Sequence, residues 1–433
     1  MIRIYTIAIL CFIGLGVHGQ DVMSPEEAVT QALENNFNIR IAQNDVLVAE
    51  NNTDKALFGY RPTVTANGSL NGNINNNTTN FTSGESIVTG YGFAFGGNAN
   101  VAANYNIIDP NRGANLKQVK EQVELSDLQK QLTIQNNVAD VLTAYYDASR
   151  AAANIGILAD VLGLSQDRLN RLEIQNQYGQ ANRLDILNAQ VDIDRDSINI
   201  SNARLTYDNA LRILNNTIGI SLDRSYNVET DLYYEATRTL ESLIETAMER
   251  CLQLQLIDQN QAITELNYDV IDASRKPTLG ANATYNYNFN RSAPGSFFSS
   301  SRSDGLGLGL SLSYNLYDGG IRKNQRQSTK LSLESQGLQR EQLVNNLTTQ
   351  LTMFWHQFQN ALYIIESEKS NVATAKVNFE RTYEQYQAGQ LTSIEYRQAQ
   401  VNLLNVENSL LNAHYDAKLL EIQMLLLSGQ ILD

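Results

Sequence analysis

Cysteine is almost absent: the 433 residues contain two, Cys11 and Cys251. Cys11 lies in an apolar run from Ile4 to Val17 that follows Arg3 and ends in small residues before Gln20, the pattern of a cleaved secretory signal. Cleavage after Gly19 leaves Gln20 or Asp21 first and one cysteine, which excludes an intrachain disulfide framework. Lipid attachment at Cys11 is the alternative, but Leu10 is not the small residue such a site wants. Cys251 reads as a small apolar residue on a helix. Long hydrophobic runs are missing too. The first run is shorter than the roughly 20 apolar residues of a spanning helix, and no later one is longer, so the inner membrane is an improbable home. Only His356 and His414 follow the signal, away from carboxylate or cysteine clusters, so no metal site is expected. No glycine-rich phosphate loop, nucleophile elbow or zinc-helix motif is present, and Gly305 to Gly309 alternates as a strand with no lysine to serve a phosphate. Trp355 and Phe354 read as helix packing. Neither catalysis nor a cofactor is therefore expected. Basic charge is scarce as well: 32 Lys and Arg stand against 46 Asp and Glu, giving −14, or about −15 without Arg3. With no basic stripe, nucleic acid is excluded as a partner.

What is present is a duplication. Gln177 to Val191, QYGQANRLDILNAQV, returns 210 residues later as QAGQLTSIEYRQAQV from Gln387 to Val401. At the same offset Gly219 meets Gly429 and Asp223 meets Asp433. Upstream, an offset of 215 superposes Ala32 on Ala247, Glu34 on Glu249 and Pro62 on Pro277, and NYNIID at Asn104 answers SYNLYD at Ser313. The chain is two tandem copies of one unit, 21–223 and 240–433, with a linker at 224–239 and the signal at 1–20. In each copy a glycine, Gly179 or Gly389, interrupts a helical pattern too long for one ordinary helix. Glycine takes positive φ without penalty where a helix must stop and reverse, so each copy reads as a helical hairpin with its tip there.

Ser24, Pro25 and Glu27 form a strong helix start, and a helix of about 35 residues is expected to near Tyr60. From Thr63 to Asn73 the period changes to two, with Val64, Ala66 and Leu70 on one face and Thr65, Asn67 and Ser69 on the other. An Asn, Thr, Ser and Gly stretch to about Gly90 reads as a surface loop. Alternation resumes with Phe93, Phe95, Val101 and Tyr105, until Pro110 closes the second strand. The second copy repeats this with Leu279 to Phe289 and with Leu306 to Leu316. Between Gly113 and Gln177 there is no proline, and Leu125, Leu128, Leu132, Ala139, Leu142 and Tyr146 form a seam at spacings of three and four. About 65 residues at 1.5 Å each reach roughly 97 Å. The helix from Ser24 and the one returning from the tip are each a little over half as long, so stacked end to end they could line the long one.

Strands of about 10 to 13 residues with one apolar face and aromatics near their ends suit a transmembrane barrel. Four strands cannot close one, and an open edge is not tolerated in hydrocarbon. Two copies give eight strands and an interior filled by side chains, whereas three give twelve and room for a lumen. The fold class expected is a mixed α and β membrane protein: long helical hairpins forming an α-barrel, plus four strands per protomer in a trimeric barrel.

A duplicated unit of helix, two strands, long helix, glycine tip and returning helix, with a YxxG element at Tyr386 to Gly389 and an acidic residue six after each glycine, resembles the TolC-like outer-membrane efflux protein family. The resemblance runs from Ser24 to the end of the chain. It implies a homotrimeric, porin-like exit duct of a tripartite efflux or type I secretion system, set in outer-membrane lipid with its helices in the periplasm. It further implies a tip that closes like an iris and docks on a periplasmic adaptor (membrane fusion protein), which links it to an inner-membrane transporter of the RND or ABC type. The family's tip tyrosine matches Tyr386 and its partner carboxylate matches Asp185. A hydrogen bond between them, about 1 to 3 kcal/mol to a charged group, would hold the tip shut. The arginine expected two after the second glycine is Leu391, which leaves Arg183 as a substitute. Of two lumen carboxylates, Glu395 is matched and the other is Gln398, implying a weaker cation-binding ring of three glutamates. Local readings stand beside these: Asp185 and Glu395 occupy first helical turns, where the macrodipole favours carboxylates without any gate, and Tyr386 could simply pack between helices. The alternative function is a structural or adhesive protein anchored by its barrel; a soluble coiled-coil scaffold is a third.

Overall fold

The computed structural model describes residues 22–80, 82–84, 86–234, 238–293 and 299–432. The expected signal at 1–20 and Asp433 lie outside the described residues. In chain order the elements are β1 (Val22–Met23), α1 (Pro25–Asn35), α2 (Phe37–Asn51), a 3-10 turn (Lys55–Phe58), β2 (Thr63–Asn80), β3 (Ser86–Ile108), α3 (Pro110–Gln177) and α4 (Arg183–Ile218). There follow β4 (Asn227–Val228), α5 (Leu240–Arg250), α6 (Leu252–Ala273), β5 (Thr278–Arg291), β6 (Ser300–Ser313), α7 (Ile321–Gln387) and α8 (Ser393–Ser428). The second half repeats the order of the first.

Two sequence expectations change. The helix from Ser24 is not continuous: Ser24 caps it as expected, its hydroxyl accepting from the Glu27 amide, but Asn36 turns extended between α1 and α2. The Asn36 carboxamide explains the break, because its oxygen accepts from the amides of Asn38 and Ile39 and starts α2, while its nitrogen donates to the Thr217 carbonyl. Cys251, which follows Asn36 by the 215-residue offset, makes the same break between α5 and α6 and so is not inside a helix. At each break the partner helix ends against it. Gly219 and Gly429 cap α4 and α8 in the left-handed region, and a β-carbon there would stand 2.7 Å from the Asn35 oxygen or 2.8 Å from the Arg250 oxygen. Glycine is needed at both for conformation and for space.

The second change lies in the first hairpin. The polar stretch read as a loop to Gly90 is strand as far as Asn80 and again from Ser86. No sustained period-two alternation runs through this stretch of sequence, yet backbone pairing from Asn76↔Tyr91 to Asn80↔Ser86 holds the two strands together. The sheet order is β2-β3-β5-β6, all antiparallel. The register makes each face continuous across four strands: Val64, Ala103, Ala283 and Leu308 form one row, and Asn67, Asn100, Asn286 and Gly305 form a row on the opposite face. Leu306, Leu308, Leu310 and Leu312 are 70 to 78% exposed, an apolar surface with nothing over it in the single chain.

The structure divides into two compact units. One, built from 42–130 and 253–343, contains the four-stranded sheet. At its β3–α3 corner the buried Arg112 lies 5.3 and 5.2 Å from the Tyr60 and Tyr105 ring centres and donates to the Asn106 carbonyl. The other unit holds the described residues of 22–41, 131–234, 238–252 and 344–432. Its main core gathers Ala28, Ala32, Val141, Tyr145, Leu214, Ile218, Tyr415 and Ile422. Tyr145 also fastens the linker, donating to the Met23 carbonyl at 2.8 Å and accepting from the Glu229 amide at 3.0 Å beside the β1–β4 pair. The seam residues of α3, from Leu125 to Tyr146, are buried or half-buried as their spacing predicts.

Candidate functional site: the helical tips

Each tip is an αα-hairpin made by local chemistry. Gly179 and Gly389 adopt φ of +72° and +73°, and a β-carbon added at either would meet nothing within 4 Å, so conformation alone demands glycine. After each, an amide reaches back: Gln180 to the Gln175 carbonyl at 2.8 Å and Gln390 to the Gln385 carbonyl at 2.9 Å. The next helix is then capped, by Asn182 accepting from the Asp185 amide and by Thr392 accepting from the Glu395 amide. Glu395 completes a reciprocal capping box, its Oε2 accepting from the amide and the hydroxyl of Thr392 at 2.8 Å each. These bonds hold its carboxyl below the usual glutamate range.

The other expected site residues divide. Arg183 is exposed at the start of α4 and makes no hydrogen bond or ion pair with any described residue. Asp185 is half-buried. The bond expected between Asp185 and Tyr386 is not formed. Tyr386 is 5% exposed and stacks on Tyr396, ring centres 5.0 Å apart and 12° from parallel, and its hydroxyl has no hydrogen-bond partner. Burial pushes that hydroxyl's pKa up; the nearby Arg168 and the Ser393 hydroxyl pull the other way, Ser393 without a bond of ordinary geometry. Tyr386 therefore packs on the aromatic face of Tyr396 and makes no bond to Asp185, whose nearby charge adds to the rise in the Tyr386 pKa. Tyr396 touches three rings of α7, those of Phe379, Tyr383 and Tyr386, at centre distances of 5.6, 5.7 and 5.0 Å. Burial lifts its own pKa to about 12.

The strongest polar contacts near the tips involve none of the residues expected there. Arg397 on α8 grips Asp196 on α4 with two nitrogens, at 2.7 and 2.9 Å, and donates at 3.0 Å to Ser165 on α3. Ser165 itself donates to Asp196 at 2.6 Å. Gln400, one turn along α8, donates to the Val161 carbonyl at 3.0 Å and accepts from Arg397 at 3.1 Å. Arg168 on α3 pairs with Asp192 on α4, which also faces Arg397 at 3.7 Å. Asp196 and the Arg168 side chain are only 3% and 2% exposed. This network joins the hairpin of the first copy to a helix of the second, and it breaks the duplication. At the 210-residue offset Arg397 answers Leu187, Asp192 answers Asn402 and Asp196 answers Val406. A search for matches between copies passes over such positions; a search for charges present in only one would have found them.

Paired long-helix hairpins with glycine tips, on a chain whose four-stranded sheet has one apolar face, define a class of envelope channel. Residues 28–220 and 243–430 match the outer membrane efflux protein family, once for each repeat, and the chain belongs to that family. It is an outer-membrane protein with its helical portion in the periplasm. Solved structures agree in fold. That of CusC, described in terms of transmembrane channel formation, is 16% identical with a TM-score of 0.69, covering 94% of this chain and 92% of its own. The outer-membrane channel OprN is 14% identical with a TM-score of 0.70, covering 94% and 90%. The CmeC outer membrane channel of Campylobacter jejuni is 14% identical with a TM-score of 0.69, covering 94% and 85%. No curated protein sequence is a significant match. Among the described residues no cluster of three or more metal-ligating side chains occurs, and no helix is long and apolar enough to cross a membrane.

Proposed function

We propose that three copies of this chain form a passive exit duct through the outer membrane, the last component of a tripartite efflux or type I secretion system. The carrying observation is the sheet. Its edge strands β2 and β6 have no outer partner in the single chain, while its apolar face is exposed. In hydrocarbon an unpaired edge costs several kcal/mol per unsatisfied group (roughly 2–7), so the edges must close on neighbouring copies. The apolar face suits the bilayer. From Leu279 to Phe289 it runs ten residue steps, about 34 Å along the strand, or roughly 24 Å when tilted 45°, against an expected band of about 25 Å. Twelve strands from three copies leave a lumen that eight would not.

The repeats 21–223 and 240–433 supply equivalent wall segments joined by 224–239. Their tips, turned by Gly179 and Gly389, form the narrow periplasmic end that meets an adaptor and, through it, an inner-membrane transporter. Asp185 and Glu395 place carboxylates there, while Tyr386 wedges α7 against α8. With Leu391 where an arginine is expected and Arg183 without a partner, the Arg397–Asp196 network is the contact that holds α8 closed against α3 and α4. The duct performs no reaction.

A cross-link tests the closure. An amine-reactive cross-linker applied to the protein in membranes should give a ladder of covalent species that ends at trimer. A ladder ending at dimer would overturn the twelve-stranded reading.

A further inference from the structure

The face of the sheet opposite the apolar one has a composition the duct reading does not require. Its rows are Asn67, Asn100, Asn286 and Gly305, then Ser69, Asn98, Asn288 and Ser303, then Thr63, Asn104, Asn282 and Gly309. Along all four strands the only charged residues are Arg291, Arg302 and Asp304. The register pairs them with Phe95, Phe289 and Tyr287, so all three belong to the apolar face, at its far end. The polar face therefore carries no charge at all, in a chain of net charge −14. A water-facing strand surface ordinarily takes Lys, Glu and Arg readily; here, apart from Ala94 and Ala102, the positions from Thr63 to Asn73 and those paired with them across the sheet are carboxamides, hydroxyls or glycine.

Resting on the duct reading above, which makes this face the lumen wall, we propose that the barrel is an uncharged, carboxamide-lined passage. It accepts polar solutes of either charge or none, and leaves selection by charge to the helical portion. A carboxamide presents two donors and one acceptor with two lone pairs, so it substitutes for water toward anions, cations and neutral hydroxyl or amide groups alike. Asn67 donates to Asn100 and Ser69 donates to Asn98 across the strands, which fixes the orientation of these groups and leaves the remaining donors and acceptors facing outward. A fixed charge at this place would hold counter-ions of one sign and repel the other. With three carboxamides per copy, the Asn67 row would repeat around the trimer as a ring with no preferred sign.

Charge added after assembly tests this without endangering folding. Asn100→Cys is assembled into a planar bilayer under a salt gradient, then treated with a sulfonate-bearing or a trimethylammonium-bearing thiol reagent. Wild type treated alike is the control, since its Cys251 is buried. The expected result is a shift of the reversal potential toward the cation value with the sulfonate and toward the anion value with the ammonium, the untreated channel lying between. Conductance with a reversal potential unmoved by both reagents would overturn the lumen-facing assignment. A shift with only one reagent would show that the passage already selects by charge and would overturn its neutrality. Absence of any current, before and after treatment, would instead refute the duct itself.

Discussion

Replacing Arg397 by glutamine should unlock the tip end of the helical unit while leaving its main core intact. The Arg397 side chain is 14% exposed and Asp196 only 3%, and the two share two hydrogen bonds. Removing the cation leaves Asp196 buried with Ser165 as its remaining donor. Breaking one side of a buried pair costs about 3 to 5 kcal/mol, and at 1.4 kcal/mol per tenfold this is roughly a hundred- to a few-thousandfold more opening. The network lies well along α3 from the Tyr145 core, so the opening should be local. Hydrogen exchange of the detergent-solubilised protein reads it directly: amides of α3 around Ser165 and of α4 around Asp196 should exchange faster by that factor, with those around Tyr145 unchanged. A double substitution, Arg397→Met with Asp196→Leu, should recover most of the protection, because apolar replacement of a buried pair is often neutral. Protection in Arg397→Gln within threefold of wild type would refute the reasoning, as would a double variant as open as the single one.

The tips and the sheet carry further consequences. Tyr386→Phe should be neutral or stabilising, since it removes a buried hydroxyl without a partner; a clear fall in thermal stability would restore a bond to that hydroxyl. Gly389→Ala should cost about 1 to 2 kcal/mol from its positive φ alone, whereas Gly429→Ala adds a clash with the Arg250 carbonyl and should cost more; equal losses in denaturant unfolding would contradict the close approach. The Glu395 pKa is depressed by the capping box, so its contribution is present above the ordinary glutamate range and is lost as pH falls through the lowered value. Exchange at 388–395 should therefore rise only under acid, and the rise should vanish in Glu395→Gln. Leu308→Lys on the apolar face should cost about 2 to 4 kcal/mol of barrel stability at the bilayer midplane; folding into vesicles at wild-type yield would argue against that face meeting lipid.

Much of the architecture is legible in the sequence because its causes are local. Gly179 and Gly389 interrupt long periodic stretches, Ser24 caps the helix that begins after it, and Leu279 to Phe289 and Leu306 to Leu312 alternate over an apolar and a polar face. Less is visible where the cause is long-range. Asn36 and Cys251 look like ordinary helix residues, yet Asn36 caps α2 and reaches the Thr217 carbonyl, and the Gly219 and Gly429 turns close against the two breaks. The extension of β2 and β3 carries no sustained alternation, and it is backbone pairing that makes it strand. At the tips, two of the residues carried over from the family resemblance make contacts that the resemblance did not signal: Glu395 closes a box with Thr392, and Tyr386 lies on Tyr396. The Arg397–Asp196 contact joins residues 201 apart on positions where the copies differ, so neither periodicity nor likeness between the copies signals it, and its one trace is that these charges stand in a single copy.

The central claim is that the assembled chains enclose a continuous lumen held narrow at the helical tips, and single-channel recording in a planar bilayer tests it most directly. Purified wild type should give a small, flickering current, and Arg397→Gln should give a larger and steadier one. No current from either protein, at a concentration where cross-linking shows the trimer to be present, would contradict the account and leave a closed barrel serving as an anchor.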